Sequence, residues 1–120
     1  MCGIVGIHGP QDEAWIEAMN TLQVHRGPDG TGVFRDRDAS LSLAMRRLAI
    51  IDIDGGLQPM STEDDGYTIV FNGEIFNAPD LRRELESKGA RFQTDHSDTE
   101  VILKLYELEG EAMVERLNGM

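Results

Sequence analysis

The chain has 120 residues, 40% hydrophobic and 28% charged, enough for one domain around a single core and too few for two. A net charge of −11 argues against nucleic acid or an anionic membrane as partner. A single cysteine excludes an internal disulfide and fits a reducing, cytoplasmic setting, and no apolar run reaches the length of a membrane span.

In chain order, Met1-Cys2-Gly3-Ile4-Val5-Gly6-Ile7 comes first, with no basic region and long apolar core of a signal peptide. Ile4, Val5 and Ile7 predict a strand, with Gly3 and Gly6 open to close backbone approach. Removal of Met1 would leave Cys2 with a free α-amine, which titrates at about 8 in model peptides and can act as the thiol's own base. If Met1 is retained, Cys2 has no such base. Read alone, Cys2 is a buried, inert strand cysteine, and only the other stretches carry the sharper reading. Gly9-Pro10 marks a turn and Asp12 caps a helix on which Trp15, Ile16, Met19 and Leu22 form one apolar stripe. That helix stops at His25-Arg26 before Gly27-Pro28, leaving His25 to Gly30 as a charged, rigid loop, locally no more than a C-cap and turn.

Val33-Phe34 starts a short strand and Asp36-Arg37-Asp38 turns into a longer one. On the longer strand Leu41, Leu43, Met45, Ala49 and Ile51 share a face by period two, and Arg47 lies on it. A guanidinium on an apolar face needs a partner, and a bidentate grip on a carboxylate is its natural use, unless a bulge turns Arg47 outward. Arg46 reads as a solvated charge. Residues 52–66 form an acidic surface loop; Asp52, Asp54 and Glu63 fall at calcium-loop positions, but Leu57 stands where the turn needs glycine, so no metal is expected.

Tyr67 to Phe71 is a strand, and Asn72-Gly73 before Glu74-Ile75-Phe76 is locally a strong hairpin signal. The other reading is an asparagine amide and a glycine N–H forming an oxyanion hole. Asn77 caps a helix with Pro79 and Asp80 in its first turn and the stripe Ala78, Leu81, Leu85, which Gly89 ends. Arg91 to Thr94 reads as a short strand. Ser97-Asp98-Thr99-Glu100 is a capping box for a helix burying Val101, Ile102, Leu105 and Leu108 up to Gly110, with one more short helix at Met113, Val114 and Leu117. His8, His25 and His96 show no metal-ligand spacing.

The motifs Cys2-Gly3-Ile4-Val5-Gly6, His25-Arg26-Gly27-Pro28-Asp29, Arg46 to Asp52, Phe71 to Asn77 and Ser97 to Glu100 occur in one order along the whole chain. Together they resemble the class II glutamine amidotransferase domain of the asparagine synthetase type, an N-terminal-nucleophile hydrolase. The resemblance implies an α+β fold of antiparallel sheets layered with helices in an αββα sandwich, here cut short on its C-terminal side, with residues 1–120 as the N-terminal part of one such domain. It implies that Cys2 attacks the side-chain amide of L-glutamine and that Asn72 and Gly73 hold the oxyanion. Arg47 would grip the substrate carboxylate, and Glu74 with Asp98 the ammonium. Ammonia would pass to a synthetase domain or subunit that this sequence lacks, since neither a Ser-Gly-Gly loop leading to Asp-Ser nor a Gly-Lys-Ser/Thr phosphate loop is present. No cofactor is implied. Met45 departs from the histidine common two residues before this arginine in the branch. A cut sandwich exposes sheet surface, which predicts a homo-oligomer or a missing partner. The alternatives are a non-catalytic glutamine-binding or assembly module and a fragment of a larger synthetase-like enzyme.

Overall fold

The structure, a computed structural model, describes residues 2–9, 13–50 and 55–120. Its contacts divide the chain into two units, one of Met1–Ile50, Leu57–Pro59 and Val70–Asn72, the other of Ile51–Gly56, Met60–Ile69 and Gly73–Met120.

The first unit is a three-stranded antiparallel sheet with one helix on it. Strands β1 (Gly3–His8), β2 (Gly30–Asp36) and β3 (Leu41–Arg47) lie in the order β1-β3-β2, and helix α1 (Glu13–Leu22) packs on β1 and β3. The register pairs Val5 and Val33 with Ala44, so all three point to the helix side, where Ile16 closes a small core flanked by Ile7. Burying Ile16 completely is worth about 1.5–3 kcal/mol. The predicted face of Leu41, Leu43, Met45 and Arg47 is the opposite one, and there Met45 and Arg47 are buried. The strand ends at Arg47, so Ala49 lies beyond it; Ile51 and the helix-capping Asp12 fall outside the described residues.

Two expectations fail here for geometric reasons. Of the α1 stripe only Ile16 is buried, while Trp15, Met19 and Leu22 are exposed. The helix meets the sheet along Ile16 and Asn20, and the line 15, 19, 22 lies about 100° round from it. Arg46 is no solvated charge: it points to the helix side, half-buried, and its Nε donates to the Asn20 carbonyl at 3.2 Å.

The second unit pairs β4 (Met60–Ser61) with β5 (Thr68–Ile69), antiparallel, and adds helices α2 (Ala78–Ser87) and α3 (Asp98–Glu109) and a 3₁₀ helix over Gly110–Arg116. Helix α3 packs on α2, β4, β5 and the 3₁₀ helix. The α2 stripe Ala78, Leu81 and Leu85 is buried as expected, and Gly89 and Gly110 end their helices at positive φ. On α3, Val101, Ile102 and Leu105 are buried with Leu103, but Leu108 is exposed. The stretch 55–66, expected as a solvated loop, instead contains β4 and buries Thr62. Arg91 to Thr94 forms no strand, because the N–H groups of Gln93 and Thr94 bond the Glu100 carboxylate. Nor does Asn72-Gly73 turn a hairpin: β5 pairs with β4, while Ile75 bridges to Gly119.

The α+β class with antiparallel sheets is therefore what the chain has. Among the described residues no helix is long and apolar enough to cross a membrane.

Candidate functional site

In the first unit, the edge strand β1 carries Cys2 on its leading end. The ladder pairs Gly3 with Arg46, which brings Cys2 to the level of Arg47 and the chain just after it. The Cys2 sulfur accepts the Leu48 N–H at 3.3 Å and lies 3.6 Å from the Leu48 carbonyl, the partner for its S–H. A thiolate at this position keeps the N–H donor. Arg47 is buried on the face of β3 opposite α1, so parity predicted its side and no bulge rotates it outward.

The turn after α1 is what fastens this end of the sheet. Arg26 Nε donates to the Cys2 carbonyl at 3.0 Å. Asp29 N–H donates to the Arg47 carbonyl at 3.0 Å, and its carboxylate accepts the Ala49 N–H at 2.9 Å. Gly27 is buried against the strand: a Cβ there would lie 2.4 Å from the Arg46 carbonyl carbon and 2.6 Å from the Arg47 nitrogen. The sequence signal was an arginine and an aspartate flanking Gly-Pro, a pattern that a plain turn does not need.

Asn72 also belongs to the first unit. The preceding Phe71 N–H is taken by the Gln58 side chain at 2.6 Å. Gly73, Glu74 and Asp98 belong to the second unit, where the N–H groups of Glu74, Ile75 and Phe76 are all engaged. Glu74 exchanges two hydrogen bonds with Met120, each 2.9 Å, and Phe76 N–H donates to Asn118 at 2.8 Å. Ile75 N–H donates to Asp98 Oδ2 at 3.0 Å, and Asp98 is buried at the start of α3. In the run 71–76, then, only the N–H groups of Asn72 and Gly73 make no hydrogen bond with described residues, and the Asn72 amide makes none either. The Glu74 carboxylate is exposed and likewise makes no bond or ion pair with described residues.

Two caps differ from their sequence reading. Asn77 precedes α2 but its side chain bonds the Arg116 carbonyl and the Asn118 N–H, at 2.9 Å each, instead of the helix. Ser97 makes no side-chain cap bond, and Glu100 reaches Gln93 and Thr94 rather than Ser97, so the capping box does not form. Among the described residues no cluster of histidine, cysteine and carboxylate side chains could hold a metal ion.

Comparison with known proteins agrees with this arrangement of motifs. The chain is 46% identical over 127 aligned positions to asparagine synthetase [glutamine-hydrolyzing] 1 of Bacillus subtilis (strain 168), with all of this chain and 20% of that protein covered. It is 40% identical over 125 positions to the asparagine synthetase [glutamine-hydrolyzing] of Brassica oleracea and 41% identical over 125 to that of Asparagus officinalis, again with all of this chain and 20% of each relative covered. The chain thus spans about a fifth of the length of these relatives. A family model described as the glutamine amidotransferase domain matches residues 1–120, and the chain belongs to that family.

Proposed function

We propose that this chain supplies the glutaminase half-reaction of an asparagine-synthetase-like enzyme, hydrolysing the side-chain amide of L-glutamine to glutamate and ammonia. The observation that carries the reading is the pattern of spent and unspent donors in residues 71–76. Among the described residues every N–H there is consumed except those of Asn72 and Gly73, and the Asn72 amide makes no bond with them either. A side-chain amide and a backbone N–H on consecutive residues, both left without a partner among the described residues, are the kind of donors an oxyanion hole requires.

In the proposed chemistry Cys2 carries a free α-amine, which takes the thiol proton; Met1 itself lies outside the described residues. The Sγ attacks the glutamine amide carbon, a C–S bond forms, and the carbonyl electron pair moves onto oxygen. Asn72 Nδ2 and the Gly73 N–H hold that oxygen. The α-ammonium returns its proton to the amide nitrogen, the C–N bond breaks, and ammonia leaves a thioester. Water attacks the thioester, the C–S bond breaks, and glutamate and the free thiol are regenerated. Arg47 binds the substrate α-carboxylate, and Glu74 and Asp98 the α-ammonium. Ammonia goes on to a synthetase domain or subunit, the synthetases being what the relatives' names describe, and the cytoplasm keeps the thiol reduced. Self-association of this chain belongs to the same reading and is open to mass measurement in solution.

The test is intact mass and glutamate release. Incubation with the electrophilic diazoketone analogue of L-glutamine should add one adduct at Cys2, with Cys2→Ala unlabelled and unable to release glutamate. If a small alkylating agent modifies Cys2 in the folded chain but the glutamine analogue does not, the chain binds no glutamine beside its thiol and the reading fails.

A further inference from the structure

We infer that Asn118–Met120 is a positioning strap for glutamine recognition, fixing the direction of Glu74, and that Gly119 is its sensitive residue; the inference rests on the proposed glutaminase reading. The residues involved are separated by more than 40 positions in sequence, yet the backbone of Glu74 is held on both sides. Its N–H donates to the Met120 carbonyl and its carbonyl accepts the Met120 N–H, each at 2.9 Å. One residue on, Ile75 bridges to Gly119 and gives its N–H to Asp98, and Phe76 gives its N–H to Asn118. The strap is held in turn by Asn77, whose amide donates to the Arg116 carbonyl and whose oxygen accepts the Asn118 N–H.

The Glu74 backbone is thus held at both its N–H and its carbonyl. The Glu74 side chain at its centre is exposed and makes no contact of charge or hydrogen bond with the described residues. A carboxylate on an over-determined backbone, with its charge unspent, is a group held ready for a cation. Two features follow from the antiparallel pairing. First, Glu74 cannot contribute an oxyanion donor, because its N–H is taken, so the strap separates the polarising residue Gly73 from the recognition residue Glu74. Second, position 119 tolerates no side chain: a Cβ there would lie 2.2 Å from the Glu74 carbonyl oxygen and 3.0 Å from Ile75 Cα. Both are backbone atoms that cannot swing aside, so any larger residue must push the Glu74 peptide away. Gly119 is thus a positioning residue, acting on substrate through Glu74.

The test uses the diazoketone analogue of L-glutamine and its N-acetyl derivative, which lacks the α-ammonium, with saturation kinetics of Cys2 labelling followed by intact mass. In Gly119→Ala the half-saturating concentration of the free-amine analogue should rise about tenfold or more, the loss expected when one charge-assisted contact is misaligned. The maximal labelling rate and the slow labelling by the N-acetyl derivative should stay unchanged, so discrimination between the two analogues shrinks. Asn77→Ala, which loosens the strap without adding bulk, should shift the same parameter in the same direction. It carries the test alone if Gly119→Ala does not fold by circular dichroism. Unchanged half-saturation in the folded variants, with the unsubstituted chain labelled saturably, overturns the strap and leaves the glutaminase reading standing. No saturable labelling of the unsubstituted chain overturns both.

Discussion

The cysteine at the front of the chain is reactive or inert according to what holds it, and what holds it is backbone. Leu48 N–H points at the sulfur and Arg26 anchors the Cys2 carbonyl, so two residues distant from it in sequence fix the nucleophile's position. Gly27 is the residue on which that arrangement turns, because it alone lets the Arg26–Asp29 turn lie flat against Arg46–Arg47. Gly27→Ala should cost about 1–3 kcal/mol through forced backbone displacement, measured as a lower urea midpoint at unchanged slope. Labelling of Cys2 by the glutamine analogue should slow with it. A variant as stable as the parent would show that the turn yields without strain. At this scale the sequence was half legible. Arg47 was placed on its face because period two is a property of the strand alone. Arg46 reads as a solvated charge in the sequence because its partner is the carbonyl of Asn20, on a different element, and no spacing rule announces a side chain that caps a neighbouring helix's backbone.

Among the elements, α3 shows best how a local signal is outbid by a tertiary one. Ser97 to Glu100 has the composition of a capping box, yet Glu100 is almost fully buried and spends one carboxylate oxygen on Gln93 N–H at 2.7 Å and the other on Thr94 N–H at 2.8 Å, with the Thr94 hydroxyl added. The segment before the helix is thereby folded back onto its first turn, which is why residues 91–94 are not a strand. Glu100→Ala strands two backbone donors and should lose about 2–5 kcal/mol; Glu100→Gln keeps one good acceptor and should lose about half as much. Thermal or urea unfolding of the pair reads the ordering, and equal losses would mean that the carboxylate's charge, not its two acceptors, is what matters. The same competition decided Asn72-Gly73. A hairpin needs Tyr67–Phe71 to pair with Glu74–Phe76, but Ser61 and Met60 claim Thr68 and Ile69, and Asn118–Met120 claims the other side. Turn residues reveal where the chain bends; they do not say which strand takes the partner's place. The stripes of α2, by contrast, were legible in full, since Ala78, Leu81 and Leu85 bury by helical period alone.

For the molecule as a whole the dominant fact is charge: 22 acidic residues against 11 basic ones, a surplus that repels itself at neutral pH. Against that background the ion pairs of the second unit are directional. Glu84 on α2 meets Lys88 at 2.6 Å and Arg116, and Arg116 also meets Glu109 at the end of α3, so one guanidinium ties α2 to α3 and the 3₁₀ helix. The hydrogen bond from Lys88, with the nearby Arg116 charge, holds the Glu84 carboxyl below its ordinary value of 4.5. A carboxylate whose folded pKa is depressed stabilises above its unfolded pKa, and that contribution fades as pH falls through the folded value. Glu84→Gln makes this readable because two effects oppose each other. Removing one negative charge from a chain at −11 relieves repulsion and favours folding, whereas breaking the Lys88 and Arg116 contacts opposes it. The paired geometry predicts that the second wins at pH 7: the variant should melt below the parent there. The gap should persist down to about pH 4.5 and close below it, where the parent's Glu84 is itself protonated. Added salt at pH 7 should narrow the gap only in part, since these contacts are shorter than the screening length of about 8 Å at physiological ionic strength. A variant that melts at or above the parent at pH 7 would mean that net repulsion outweighs the bridge, and that Arg116 holds the helices through Glu109 alone.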